Sequence, residues 1–268
     1  MPPRYLPRPA LFIVAAIVVL AQFVPLPYVA IVPGPALNVL SSAITINKAG
    51  YAPIQLQIPG KLYATTVMVS NPDSRMYAPE LIVDWVRGDA AIQPRSVIYP
   101  TPVTRKAALA QGKVEMVSAE KSATLAAANF LAAINSSQAE LLKSGDVKFA
   151  MKETGGPSAG LAFALALIIK VQANQLLQGR TIAVTGTMDS TGKVGPIGGI
   201  DQKLIGASKT GATIFLAPSE NCQDISRTQS QWRAANWQVR GMRVIPVASL
   251  TQAVHILAAG DLRNAPHC

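Results

Sequence analysis

The chain has 268 residues, half of them hydrophobic and only 14% charged, with a net charge of +10. That length holds one large domain or two small ones, each able to bury a sizeable core. The basic residues are scattered and no Lys/Arg tract interleaves with aromatics, so nucleic-acid binding is not indicated.

The N-terminal stretch "ALFIVAAIVVLAQFVPLPYVAIV", Ala10 to Val32, contains one clearly polar side chain, Gln22. Roughly 20 apolar residues cross a bilayer core, so the run is long enough to span. Arg4 and Arg8 precede it and no charge follows until Lys48. The positive-inside rule then leaves the N-terminus in the cytoplasm and the rest of the chain outside the cell membrane. A signal peptide cut after Ala21, with Val19 two positions before, is the competing reading. The anchor is favoured because the apolar run continues past Ala21, with Pro25 and Pro27 marking its exit from the membrane.

Residues 42–70 read as strands in "AITINKA", "IQLQIPG" and "LYATTVMVS". "APELIVDWVRG" reads as a short amphipathic helix, "RSVIYP" as a strand, and "MVSAEKSATLAAANFLAAI", 116–134, as a helix. From 147 the pattern changes. "VKFAM" is a strand, a glycine turn follows, and residues 158–172 form a buried helix. "TIAVTGTM" is a strand, "STGKVGPIGG" a glycine-rich hairpin, and "IDQKLIGASKTG" a helix stopped by Gly211. "ATIFLAP" and "MRVIPVAS" are strands, and "LTQAVHILAAG" is a last helix. The class is α+β, a mixed α/β fold. The expected division is an anchor over 1–32, a linker and the N-terminal part of the folded region over 33–146, and its main domain over 147–262. Cys222 and Cys268 lack metal-ligand spacing; outside the cytoplasm they can pair, and two free thiols fit equally well.

In "GGPSAGLAFALALIIK" one serine, Ser158, stands at the mouth of an apolar helix. Unpaired N–H groups and the positive end of the dipole meet there. That suits a helix cap, an anion cradle or a nucleophile, and a cap is the ordinary case. A nucleophile needs a base. The chain has two histidines, His255 in the last helix and His267 near the C-terminus. A Ser-His-Asp triad would have to use His255, whose ordinary role is a partly buried helix residue. Lys203, 45 positions after Ser158, offers an amine that becomes a base if an apolar pocket keeps it neutral. Taken alone it is a solvated lysine on an apolar stem.

"GGPSAG" followed by "GGIDQK" resembles the proteolytic domain of the Lon (S16) proteases, and the stretch between them matches nearly element for element. The resemblance covers about 147–260. It implies a Lon-like proteolytic fold in which Ser158 is the nucleophile and Lys203 the general base. Thr185 would orient the lysine, and backbone N–H groups from Gly156 to Ser158 would hold the oxyanion. Asp189 and Asp201 lie near these motifs and read as solvated turn and helix-start residues. The anchor and the glycine pair resemble the membrane-tethered, extracytoplasmic members.

Three departures stand out. Gly155 occupies the place where the ATP-dependent members carry an acidic residue. There is no GxxxxGK[ST] phosphate loop. The tethered relatives commonly carry a PDZ domain, but "NSSQAELLKSGD" leaves no room for one between Ile134 and Val147. The expectation is a membrane-anchored Ser-Lys endopeptidase acting on unfolded or flexible protein segments, with no ATPase module, no cofactor and no metal of its own. Rings of identical copies are implied by the resemblance. The alternative is a weak or inactive relative that binds peptides or a membrane partner.

Overall fold

The computed structural model describes residues 8–41, 43–47, 58–151, 155–172, 176–234 and 241–268. The first third of the chain carries α1 (Arg8–Ala21), β1 (Tyr28–Pro33), β2 (Leu37–Asn38), β3 (Ile44–Asn47), β4 (Lys61–Ala64) and β5 (Val67–Val69). Then follow α2 (Ala78–Arg87), β6 (Ala91–Pro94), α3 (Arg95–Ile98), α4 (Arg105–Ala132), α5 (Ser136–Ser144) and β7 (Asp146–Phe149). The remainder holds α6 (Gly160–Gln172), β8 (Thr181–Val184), β9 (Thr187–Met188), β10 (Val194–Gly195) and α7 (Ile200–Ser208). Last come β11 (Ile214–Pro218), α8 (Cys222–Ala234), β12 (Arg243–Val247) and α9 (Leu250–Ala259). These elements form two compact units, residues 1–32 with 68–105, and residues 33–67 with 106–268.

The larger unit is built on a five-stranded sheet in the order β12-β11-β8-β4-β2. Its first four strands are parallel and β2 is antiparallel to β4. Strands buried on both faces need continuous apolar runs, and "TIAV" and "IFLAP" supply them. Helix α6 is the centre of the core, with eleven of its 13 residues buried. Each fully buried Leu, Ile or Phe there contributes roughly 1.5–3 kcal/mol. A separate ribbon pairs β3 with β7, and β9 pairs with β10 as a hairpin. Cys222 and Cys268 form a disulfide, 46 positions apart, which ties the C-terminal tail to the start of α8. In the chain-entropy account a loop of that length is worth about 4 kcal/mol.

The smaller unit holds the sheet β5-β1-β6 with α1, α2 and α3. Here the apolar run behaves differently from the expected single span. Helix α1 has 14 residues, about 21 Å at 1.5 Å per residue. Among the described residues no helix is long and apolar enough to cross a membrane. After Ala21 the chain tightens into i→i−3 turns at Gln22, Phe23 and Val24, ahead of Pro25 and Pro27. Residues 28–33 then form a strand that pairs with β6 through residues 28–31, so the apolar stretch divides into a helix and a strand.

Three other expectations change. "RSVI" is a helical turn, α3, and the strand is the preceding "AIQP". Helix α4 begins eleven residues before Met116, running through Gly112. "TIAVTGTM" breaks at Thr185–Gly186 into β8 and β9. The expected strand "IQLQIPG" lies mostly outside the described residues, and residues 58–60 are not strand.

Candidate active site

Ser158 sits in the turn that opens α6. Gly156 has φ +89°, a left-handed conformation that L side chains rarely adopt, and it turns the chain toward the helix. The Ser158 carbonyl accepts from the Gly186 N–H at 2.9 Å and from Thr185 Oγ1 at 3.2 Å. The helix approaches β9 closely at Gly160, where a Cβ would stand 2.7 Å from Met188 Cβ and 2.9 Å from its backbone nitrogen.

Lys203 projects from the first turn of α7. Gly199, at φ +66°, starts that helix, and its carbonyl accepts the Lys203 N–H at 3.0 Å. The loop ahead of it is held by buried Asn221. Its side chain accepts from the Ile197 N–H and donates to the Ile197 carbonyl, both at 3.0 Å. Sequence reasoning assigned Asn221 no role; an amide just after the apolar strand and "FLAPSE" was the available signal.

The lysine side chain is 2% exposed. Its Nζ lies 2.7 Å from Ser158 Oγ and 3.0 Å from Thr185 Oγ1. Among the described residues no carboxylate pairs with it. Burial without a counter-charge disfavours the ammonium and lowers its pKa from 10.5 to about 7. Near neutral pH much of the amine is therefore unprotonated, and the Ser158 hydroxyl can donate to it. Thr185 is fully buried at the end of β8, with its N–H on the Leu216 carbonyl. Its hydroxyl accepts from Lys203 and donates to the Ser158 carbonyl, so one side chain fixes both partners.

The expected oxyanion donors narrow. The Gly156 N–H donates to the Gly112 carbonyl of α4 at 2.9 Å, and Pro157 has no N–H. The Ser158 N–H is engaged by no acceptor among the described residues, which leaves it as the donor beside the nucleophile. Gly155 stacks on α4, where a Cβ would stand 3.2 Å from the Gly112 backbone.

The other sequence candidates fall outside this constellation. His255 is exposed on α9 and His267 is exposed in the C-terminal tail, so the partly buried position expected for His255 does not hold. Asp189 closes its own turn: its carboxylate accepts from the Thr191 hydroxyl and N–H and from the Lys193 N–H. The Thr191 hydroxyl is foremost in holding its pKa below the usual range. Asp201 is not merely solvated, since it accepts from the buried Thr228 hydroxyl. Among the described residues no cluster of His, Cys, Asp or Glu is arranged to hold a metal.

A serine hydroxyl facing a buried lysine amine of lowered pKa is the arrangement of the serine-lysine dyad hydrolases. The sequence profile of the Lon protease (S16) C-terminal proteolytic domain matches residues 110–257. The chain is 35% identical over 100 residues to the Lon protease of Chloroflexus aggregans, covering 37% of this chain and 11% of that protein. It is 42% identical over 71 residues to the mitochondrial Lon protease homolog of Rattus norvegicus, 26% of this chain and 7% of the relative. Lon protease 1 of Bacillus subtilis is 39% identical over 70 residues, 26% of this chain and 9% of the relative. The chain thus spans about a tenth of the length of these relatives. It belongs to the Lon protease (S16) proteolytic-domain family, a family of serine-type endopeptidases.

Thr185→Val keeps the volume of the side chain and deletes its hydroxyl. The amine then loses its second partner, and kcat is expected to fall about tenfold or more while KM stays near its original value. Thr185→Ser should retain most of the rate. Equal rates for all three in a fluorogenic peptide assay would remove Thr185 from the site.

Proposed function

We propose that this chain hydrolyses peptide bonds in unfolded or flexible protein segments, with Ser158 as nucleophile and Lys203 as general base, and without ATP. The observation that carries the reading is the 2.7 Å contact between Ser158 Oγ and the buried Lys203 amine. The neutral amine accepts the hydroxyl proton as the oxygen attacks the peptide carbonyl. The developing oxyanion meets the Ser158 N–H. Lys203, now protonated, returns the proton to the departing amine, and water clears the acyl-enzyme by the same route. Assembly into a homo-oligomeric ring is part of the same reading.

Attachment to the cell membrane through α1 is also proposed, with the N-terminus cytoplasmic and Ser158 outside. Arg4 and Arg8 before the apolar run favour that orientation. The Cys222–Cys268 disulfide suits an oxidising compartment. A 21 Å helix is shorter than a bilayer core of about 30 Å, so the membrane would thin around it.

The test is cleavage of an unfolded protein, followed by gel and mass spectrometry, by the native chain and by Ser158→Ala. Loss of cleavage in the variant is expected, together with acylation of Ser158 by an active-site phosphonate or boronate probe. Undiminished cleavage by Ser158→Ala would refute the assignment.

A further inference from the structure

Helix α2 is built the wrong way round for a soluble protein. Its boundaries are well specified: Pro79 lies in the first turn, the Glu80 carboxylate accepts the Tyr77 N–H, and Gly88 closes it at φ +71°. Yet it buries none of its residues. Leu81 and Asp84 are half-buried, whereas Ile82, Val83, Trp85 and Val86 are all exposed, Trp85 by 75%. Positions 79, 82, 83 and 86 share one face, with Trp85 at its border. A contiguous apolar face turned to solvent costs roughly 25 cal/mol per Å² and marks a surface that something covers.

The same unit identifies the cover. In α1 the residues Leu11, Phe12, Ile13, Val14, Ile17, Val18, Val19 and Leu20 are all exposed. A helix apolar on every side requires an apolar environment on every side, which lipid supplies and a single protein face does not. The end of α1 and the start of α2 are held close together. The Leu26 N–H donates to the Met76 carbonyl at 2.8 Å, five residues after α1 and two before α2. A short inserted α1 draws the segment that follows it down into the headgroup region.

We infer that α2 lies in the membrane interface beside α1, with Ile82, Val83 and Val86 facing the acyl boundary and Trp85 at headgroup level. Its occupant is a phospholipid bilayer. Amphipathic helices with tryptophan at the border of the apolar face bind such interfaces. The inference rests on the membrane attachment proposed above, and it gives the protein a second, peripheral contact with the same bilayer.

The experiment uses the full chain and its Trp85→Phe variant, mixed with vesicles of zwitterionic and anionic phospholipid. Some vesicles carry bromine near the headgroup end of the acyl chain and others near its terminus. The difference in emission between the two proteins isolates Trp85 from Trp232 and Trp237. Both proteins should float with the vesicles, and the Trp85 component should fall about twofold with shallow bromine and less with deep bromine. Flotation with no quenching of Trp85 by either lipid would overturn the interfacial placement and leave α1 attachment standing. Failure of the native chain to float would overturn both.

Discussion

Lys203→Met abolishes hydrolysis and makes the protein harder to unfold near neutral pH. Removing a positioned general base costs about 10²–10⁴ in rate, and methionine fills nearly the same volume. The stability effect follows from burial. The folded amine has its pKa near 7 and the unfolded one near 10.5. Between those values the unfolded chain holds a proton that the folded chain does not, so native stability rises with pH across that window. The cost of keeping this amine is therefore largest below pH 7 and disappears above about 10.5. Its size is of order a few kcal/mol, at about 1.4 kcal/mol per pH unit. The lost hydrogen bonds to Ser158 and Thr185 offset only part of it, at about 1 kcal/mol each. Thermal melts of the two proteins should show the variant several degrees higher at pH 6, converging toward pH 10. A variant that melts lower throughout would mean the lysine is not desolvated. For the native enzyme, kcat/KM should climb through pH 7 and level off as Lys203 loses its proton; a flat profile would rule out Lys203 as base.

Gly160→Ala should damage both folding and catalysis although alanine is the better helix former. The added carbon meets the Met188 backbone and side chain at 2.7–2.9 Å, and a backbone atom cannot swing aside. Helix α6 has to retreat from β9. Overpacking of this kind costs about 1–3 kcal/mol, more than the roughly 0.5–1 kcal/mol that alanine regains in a helix. Ser158 lies two residues ahead and moves with the helix, while Lys203 stays on α7. A displacement near 1 Å costs on the order of 10²-fold in rate. Gly198→Ala is the control. It has no neighbour within 4 Å of the new carbon and lies in the loop leading to α7, so its melt and rate should match the native protein. Equal behaviour of the two variants would show that the α6–β9 contact yields.

The pairing of Ser158 with Lys203 was legible only through the family resemblance that two short segments carry; read alone, the serine is a helix cap and the lysine a solvated side chain. "GGPSAG" and "GGIDQK" each require a glycine turn, a polar residue and a helix start. Strands β8, β11 and β12 were legible because each carries a run of buried apolar residues, as parallel strands covered on both faces require. What failed was of two kinds. Runs of four residues such as "RSVI" have too few positions to separate period two from period 3.6, so a helical turn read as a strand. Other features depend on distant partners. Gly112 disfavours a helix by about 1 kcal/mol on its own, and α4 runs through it because Gly155 packs against it. Likewise β4 pairs with β8 across more than a hundred positions, and nothing local in "KLYA" announces that neighbour. A lowered lysine pKa stood in the sequence only as a condition on an apolar pocket, and the Gly156 N–H bond to α4, which removes one expected oxyanion donor, had no sequence signal.

Thr185 directly follows β8, the strand that pairs with β4 on one side and β11 on the other. Its backbone N–H closes on β11, and its hydroxyl holds both members of the dyad. The site therefore has no half-built form. During synthesis the serine emerges long before its base, and neither is aligned until β11, later still, has joined the sheet. In a chain still being made, Ser158 and Lys203 are both out before β11, so the contact that seats Thr185 between them is the last of the set to become available.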